Sequence, residues 1–239
     1  MDISVAAIIC AAGSSNRMGG AKKEYLHLGS STRKNLTVLG AAVSAFASHP
    51  KINQLIITLP PDSVNANAFL PAELHDRVLY CFGGPSRRSS VHNALLFLES
   101  LDSNTSHVLI HDGARPWVKQ DLIERIINAA VKHGAAIPAL PLLETPKELE
   151  RSVDFMSGEE VFIKRHLRRA GLCSAQTPQG FAFPEILLAH RMAAEKEMRE
   201  GKIFTDDAEV WGDFSGSVAV IPGDPENRKI TYPGDLCRG

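Results

Sequence analysis

Cysteine is scarce in this chain and widely scattered, at positions 10, 81, 173 and 237. No C-x-x-C pair occurs, and the nine histidines form no H-E-x-x-H. This argues against a structural zinc site or a disulfide framework, and the thiols are expected to be reduced, as in the cytoplasm. Net charge is also small, with 26 Lys+Arg against 27 Asp+Glu. No global basic field draws the chain to nucleic acid, so any positive potential must be local. No apolar run reaches the length of a membrane span. The opening MDISVAAIICAAG has no basic region ahead of its first apolar run, so neither signal nor transit peptide is expected. The first glycine-rich loop contains neither G-x-x-x-x-G-K-[ST] nor G-x-G-x-x-G, which removes the two commonest nucleotide fingerprints.

That loop is nevertheless the centre of the sequence. Val5 to Ala12 is short, apolar and bounded by turn residues, and reads as one buried strand. Gly13, Ser14, Ser15 and Asn16 follow, then Arg17, Gly19, Gly20, Lys22 and Lys23. Small residues let the backbone pass close to a ligand and turn its N–H groups inward. Arg17 and the lysines add fixed positive charge, and the combination suits a polyphosphate. A strand-to-helix turn with solvated lysines is the alternative.

With 239 residues, 44% of them hydrophobic, the chain can bury roughly 70–75% of its unfolded surface. Helical and strand patterns alternate along it. Asn35 is placed to cap a helix through Leu36, Leu39, Val43 and Phe46. Ile52 to Leu59 reads as a strand, with Asp62 capping a short helix after Pro60-Pro61. Further strands are predicted over Arg77 to Phe82, Val108 to Ile110, Ala135 to Leu140 and Val218 to Ile221. Helices are predicted after GGPS, over Gln120 to His133, from Pro184 to about Gly201, and from Thr205 or Asp206. This rhythm implies parallel crossovers and an α/β, three-layer, mostly parallel sheet. Ligands of such sheets sit beyond the carboxyl ends of the strands. Between Pro141 and His166 the rhythm breaks. Charges flank a turn at Ser157-Gly158, so the segment is expected to be a projecting hairpin.

Several knots can carry chemistry. GGPSRRSSV, residues 83 to 91, puts glycines, arginines and serines at a helix start, where anions and base edges are readily met. HDGARP, residues 111 to 116, leaves Asp112 at a strand end, free to hold a ribose hydroxyl or Mg²⁺, or merely to cap a turn. QTPQGF and TDDA are polar knots that serve equally as turns, and Lys229 reads as a solvated lysine.

The first loop resembles the A-A-G-x-G-x-R-M…P-K-Q signature of sugar-phosphate nucleotidyltransferases through Ala11, Ala12, Gly13, Arg17, Met18 and Lys23. Ser15, Lys22 and Glu24 depart from it. In order, AAGSSNRM, GGPSRRSSV, HDGARP, ETPK, RAGLCSAQTPQGF, TDDA and NRKITYPGDL resemble the 2-C-methyl-D-erythritol 4-phosphate cytidylyltransferases of the non-mevalonate isoprenoid pathway, over nearly the whole chain. The resemblance implies a single Rossmann-like nucleotidyltransferase domain over 1–239, with 141–166 a dimerisation arm. It implies that Ala11, Ala12 and Gly13 line a CTP site, with Arg17 and Lys23 on its phosphates and Lys229 on the acceptor phosphate, and that Arg17, Lys23 and Lys229 are the catalytic residues. Gly83, Gly84 and Ser90 would read cytosine. Asp112 and Gly113 would meet the ribose, with Asp112 also holding Mg²⁺. Arg115, Thr145, Arg169, Thr177, Thr205 and Asp206 would hold the acceptor, Thr145 and Arg169 reaching in from the other subunit of a homodimer. The partners implied are the two small-molecule substrates, with no nucleic acid and no membrane. A pentitol-phosphate cytidylyltransferase, acting for example on ribitol 5-phosphate, shares the CTP loop, HDGARP and QTPQ. A non-catalytic nucleotide-binding module would be expected to lack the phosphate-binding cations, yet Arg17, Lys23 and Lys229 are present.

Overall fold

The computed structural model describes residues 3–13, 22–29, 36–63, 65–101, 103–151 and 158–237. Its main sheet has eight strands. They are β1 Val5–Cys10, β2 Ile52–Leu59, β3 Leu79–Phe82, β4 His107–Asp112, β5 Ala135–Pro141, β8 Cys173–Ala175, β9 Gln179–Ala182 and β10 Ala219–Pro222. Seven lie in the order β10-β5-β9-β4-β1-β2-β3, and β8 pairs alongside β5. The β3-β2-β1-β4 half is parallel throughout, as the alternating pattern requires. β10 also runs parallel to β5. β8 and β9 run antiparallel to their neighbours. The sheet is therefore mostly parallel, as expected, with two antiparallel strands.

Side chains alternate across the sheet, and β1 shows how this makes two cores. Val5, Ala7 and Ile9 face α1 (Val38–Ala47) and α3 (Gln120–His133), among them Leu39, Val43, Phe46, Ile123 and Ile127. Ala6 and Ile8 face the other way, toward Val91, Leu95 and Leu98 of α2 (Arg87–Ser100) and Ile186 and Leu187 of α4 (Glu185–Glu200). Trp211 of α5 (Asp207–Phe214) completes that second layer. All these β1 side chains are fully buried, so the strand reads as a continuous apolar run.

The element boundaries correct three expectations. Asn35 lies outside the described residues, and Thr37 caps α1, its hydroxyl accepting from Gly40 N at 2.9 Å. Such a cap contributes about 1 kcal/mol. Asp62 caps no helix; the short 3-10 segment that follows is Ala66–Phe69, flanked by Asn65. Arg77 ends a 3-10 segment, Ala72–Arg77, and β3 begins at Leu79. Of the two candidates for α5, Asp206 is the cap. Cys10, Cys81 and Cys173 are free thiols.

The excursion after β5 forms its own antiparallel pair, β6 (Lys147–Leu149) with β7 (Ile163–His166). Glu148 bridges Lys164 at 2.9 Å and Arg165 at 2.8 Å across the pair. Leu143, Phe162 and Ile163 are exposed there, Leu143 by 82% and Phe162 by 70%. Of the expected turn, Gly158 has φ +73, while Ser157 lies outside the described residues.

Buried polar groups behind α2 make stability pH-dependent. His92 meets Arg88 on its own helix, with His190, Arg191 and Glu197 facing it from α4. Burial, then His190 and the arginines, push its pKa down to about 4, against the opposing pull of Glu197. The unfolded chain therefore binds the extra proton first, and stability falls as pH drops from about 6.5 to about 4. The urea midpoint should decline across that window, and His92→Gln should decline less. Equal slopes for the two proteins would remove His92 from the account.

Candidate active site

The carboxyl ends of β1, β2, β3 and β4 open on one cavity of about 400 Å³. Its walls carry Ala12, Gly13, Lys23, Glu24, Gly84, Arg87, Ser90, Asp112 and Lys229, drawn from four segments far apart in the chain. β1 lies between β2 and β4, the point where the strand order reverses and α/β folds bind their ligands.

The cavity needs its glycines. A Cβ on Gly83 would lie 2.3 Å from Ala12 Cβ and 2.8 Å from Ser90 Oγ. Only glycine lets the β1 and β3 loops meet there. Ser86 and Ser89 form a reciprocal capping box at the start of α2. Ser90 Oγ donates to Ser86 O at 2.8 Å and accepts from Gly84 N at 3.0 Å. The hydroxyl thereby fixes the loop at the cavity edge.

Asp112 is the electrostatic hub. Lys229 Nζ stands 2.9 Å from its Oδ2, Arg115 Nε 3.4 Å from the same oxygen, and Arg87 Nε 3.5 Å from Oδ1. Burial alone would raise this carboxyl's pKa, but Arg87, Lys229 and Arg115 outweigh it and hold the group well below the usual carboxylate range. Asp112 is thus a fixed anion among three cations. Arg87 continues inward, its Nη1 2.8 Å from the fully buried Asp207, whose other oxygen lies 3.3 Å from His190 Nε2.

A chain of hydrogen bonds shapes the turn after β4. Asp112 N donates to Thr177 Oγ1 at 3.1 Å. His111 Nε2 lies 3.1 Å from Arg115 O, a carbonyl that only accepts, so Nε2 carries the proton. Nδ1 is then the acceptor for the Thr177 hydroxyl at 3.1 Å. Burial pushes the His111 pKa down to about 4, which suits this neutral ring.

The expected residues divide into three sets. Ala12, Gly13, Lys23, Gly84, Ser90, Asp112 and Lys229 line the cavity. Ala11, Gly83, Gly113 and Arg115 stand behind or beside it, with Arg115 Nη1 donating to Asn227 O at 2.8 Å. The third set does not reach it. Thr177 is buried, and its hydroxyl meets His111 Nδ1 and the Asp112 N–H at the strand end. Asp206 caps α5 and accepts from Gln179 Nε2 at 2.8 Å. Thr205 Oγ1 donates to Glu209 at 2.9 Å. Thr145 and Arg169 are exposed, the Arg169 guanidinium donating to Leu143 O. Arg17 lies outside the described residues.

Three residues gain roles that the motifs left unassigned. Arg87 was one of two arginines in GGPSRRSSV with no role attached to either. Glu24, a departure from the signature, is buried and lines the cavity. Lys22, another departure, donates from Nζ to Gly13 O and ties together the two described ends of the first loop.

A mainly parallel sheet with helices on both faces, and a cavity setting basic side chains around one strand-end carboxylate, defines an α/β nucleotidyltransferase fold. The comparisons carry this further. The family model described as IspD, 2-C-methyl-D-erythritol 4-phosphate cytidylyltransferase, matches residues 5–239, and the chain belongs to that family. It is 41% identical over 239 residues to the bifunctional enzyme IspD/IspF of Rhodospirillum rubrum, covering 98% of this chain and 56% of that protein. It is 40% identical over 237 residues to the IspD/IspF enzyme of Bradyrhizobium sp. (strain BTAi1), covering 98% and 55%. The chain thus spans about half the length of these curated relatives. Among solved structures, the 2-C-methyl-D-erythritol 4-phosphate cytidylyltransferase of Thermus thermophilus superposes with a TM-score of 0.73 at 30% identity, covering 99% of this chain and 96% of that one. The Francisella tularensis enzyme of the same name gives 0.76 at 26% identity, with 98% and 96% covered.

Proposed function

We propose that the protein is a cytidylyltransferase that joins CTP to 2-C-methyl-D-erythritol 4-phosphate, releasing pyrophosphate. The observation that carries this reading is the family match over residues 5–239, together with Lys23, Asp112 and Lys229 around one cavity. The names of the family and of its relatives favour this acceptor over ribitol 5-phosphate.

In the proposed reaction a phosphate-monoester oxygen of the acceptor attacks the α-phosphorus of CTP in line. The new P–O bond forms as the α–β bridging bond breaks, and pyrophosphate carries off the electron pair. The nucleophile is already anionic, so no general base is required. The protein positions the two reactants and offsets their charge. Gly13 and Gly84 let the nucleotide approach the backbone, and Lys23, Lys229 and Arg17 are assigned to the phosphates. Asp112 is a suitable Mg²⁺ ligand, being an ionised oxygen donor on the cavity wall. Mg²⁺ commonly takes one or two carboxylates and completes its shell with phosphate oxygens and water. When bound it would neutralise the triphosphate. Among the described residues no group of three His, Cys, Asp or Glu side chains forms a separate metal cluster.

We assign the 141–166 excursion to a homodimer contact. Its exposed Leu143, Phe162 and Ile163 favour this, as does the position of Arg169 outside the cavity lining. On this reading Arg169 grips the acceptor phosphate in a partner's site, through a planar fork that lysine cannot reproduce. No described helix is long and apolar enough to cross a membrane. The free thiols fit a cytoplasmic location.

The reading is tested by following pyrophosphate release with CTP, ATP, GTP and UTP against both acceptors. Turnover with CTP and methylerythritol phosphate is expected, and its absence would overturn the proposal. The arm is tested by a mixed dimer of one subunit carrying Arg169→Lys and one carrying Lys23→Ala. One of its sites then holds both lesions and the other neither, so activity should return. No recovery would mean that both residues serve the same subunit's site.

A further inference from the structure

We infer that Asn227 and Gln176 are positioning residues for Lys229, clasping the strap that carries its ammonium so that it stays against Asp112. The inference rests on the assignment of Lys229 to the phosphates.

Between β10 and the last 3-10 segment, Pro233–Cys237, the chain has neither helix nor strand. Lys229 rides on this strap with its side chain 41% exposed. A lysine on an irregular segment has no regular backbone ladder to hold it in place, so the fixing must come from elsewhere. The strap is stitched to β5 at one end, by Gly223 N to Ala139 O at 2.8 Å, and to the turn after β4 at the other, by Ile230 N to Ala114 O at 2.9 Å. Its middle is held by two side-chain amides.

Gln176 is buried and uses its carboxamide as a bracket. Oε1 accepts from Asp224 N at 3.1 Å, while Nε2 donates to Asp224 O at 2.9 Å and to Asn227 O at 3.2 Å. The approach is close enough that a Cβ on Gly223 would lie 2.4 Å from Gln176 Oε1. Asn227 is fully buried and donates from Nδ2 to Thr177 O at 2.7 Å. That bond to a carbonyl fixes which way the amide faces. The side chain thus adds a donor to the backbone ahead of β9, beside the strap's own backbone bonds to Ala139 and Ala114.

Both attachment points lead to Asp112. Thr177 takes the Asp112 N–H with its hydroxyl. Arg115, which donates to Asn227 O, also contacts Asp112 Oδ2. The clasp thus reaches both sides of the carboxylate that Lys229 meets. The strap's outer contacts are of a different kind. Lys119 pairs with Asp224 at 3.2 Å and Glu226 at 2.5 Å, and the Arg228 guanidinium lies 5.1 Å from the Trp117 ring centre. Lys119 and Glu226 are largely exposed and screened by solvent, so that pair holds little.

The test is a double-mutant cycle on turnover with CTP and methylerythritol phosphate. Asn227→Ala should lower kcat by about 10²-fold, the scale of a small misplacement of a reacting group. In a Lys229→Ala background the same change should cost nothing further. A purely structural asparagine would lower kcat equally in both backgrounds, and such additivity would overturn the inference while leaving the role of Lys229 intact. A normal kcat for Lys229→Ala would instead overturn the assignment of Lys229, and the inference with it. If Asn227→Ala fails to fold, Gln176→Glu takes its place in the cycle. It keeps the shape and the acceptor but loses both donated bonds, and the same two outcomes decide.

Discussion

Lys23→Ala should reduce kcat by about 10²–10³-fold while leaving CTP affinity, measured without acceptor, much less changed. That is the usual cost of deleting one donor aimed at charge that develops in the transition state. Lys23 closes the first loop and lines the cavity opposite Asp112 and Lys229. Its place in a 3-10 segment, Lys23–Tyr25, lets the neighbours divide their work. Lys23 and Glu24 face the cavity, while the Lys22 ammonium binds the loop's own Gly13 carbonyl. Isothermal titration with CTP and steady-state kinetics on the folded variant separate binding from chemistry. Near-normal turnover would take Lys23 out of the mechanism.

The largest loss of stability is expected from Asp207→Ala. Asp207 is fully buried beside Arg87 and His190. Burial would raise its pKa, yet Arg87 and His190 hold the carboxyl below its ordinary range. Its removal takes the shorter of two ion pairs from the Arg87 guanidinium, which burial disfavours, and leaves the 3.5 Å contact to Asp112. Breaking a buried pair by deleting one partner costs about 3–5 kcal/mol. Urea unfolding should show a loss of that size. Asp207→Asn, which keeps the shape, should lose less. A change below about 0.5 kcal/mol, typical of a surface position, would refute the buried-pair account.

Much of this architecture is legible in the chain because single segments carry it. α3 runs over the residues its apolar spacing predicts, since Leu122, Ile123, Ile126, Ile127 and Ala130 are all buried on one side. β2 is equally plain, a bounded apolar run paired on both edges within the parallel half of the sheet. The loop residues that gather at the strand ends can be anticipated from topology alone. What escapes is whatever depends on a distant partner. Nothing local to GGPSRRSSV says that Arg87 points at Asp207. TDDA offers Asp206 as a cap, but gives no sign that its carboxylate also joins Gln179. QTPQGF has no strand-like alternation, because Gln179 is buried by bonds to Asp206 and Ala208 and not by apolar contact. Nor does QTPQGF show that the Thr177 hydroxyl meets His111 and the Asp112 N–H. Asp62 and Asn35 have the right chemistry for caps, but Thr37 stands where the chain enters α1.

The position of β9 has a consequence for how the molecule must assemble. It lies between β4 and β5, although both precede it in the chain. Those two strands cannot finish their pairing as they are made. Each keeps a row of open N–H and C=O groups until residues 179–182 slide between them from the opposite direction. Closure of the sheet is therefore a long-range event, with the entropy of a large loop set against it. The same step brings up Thr177, on which the turn bearing Asp112 leans. The half-sheet around β1 can be built early, but the carboxylate at its edge is fixed only when the last gap in the sheet is filled.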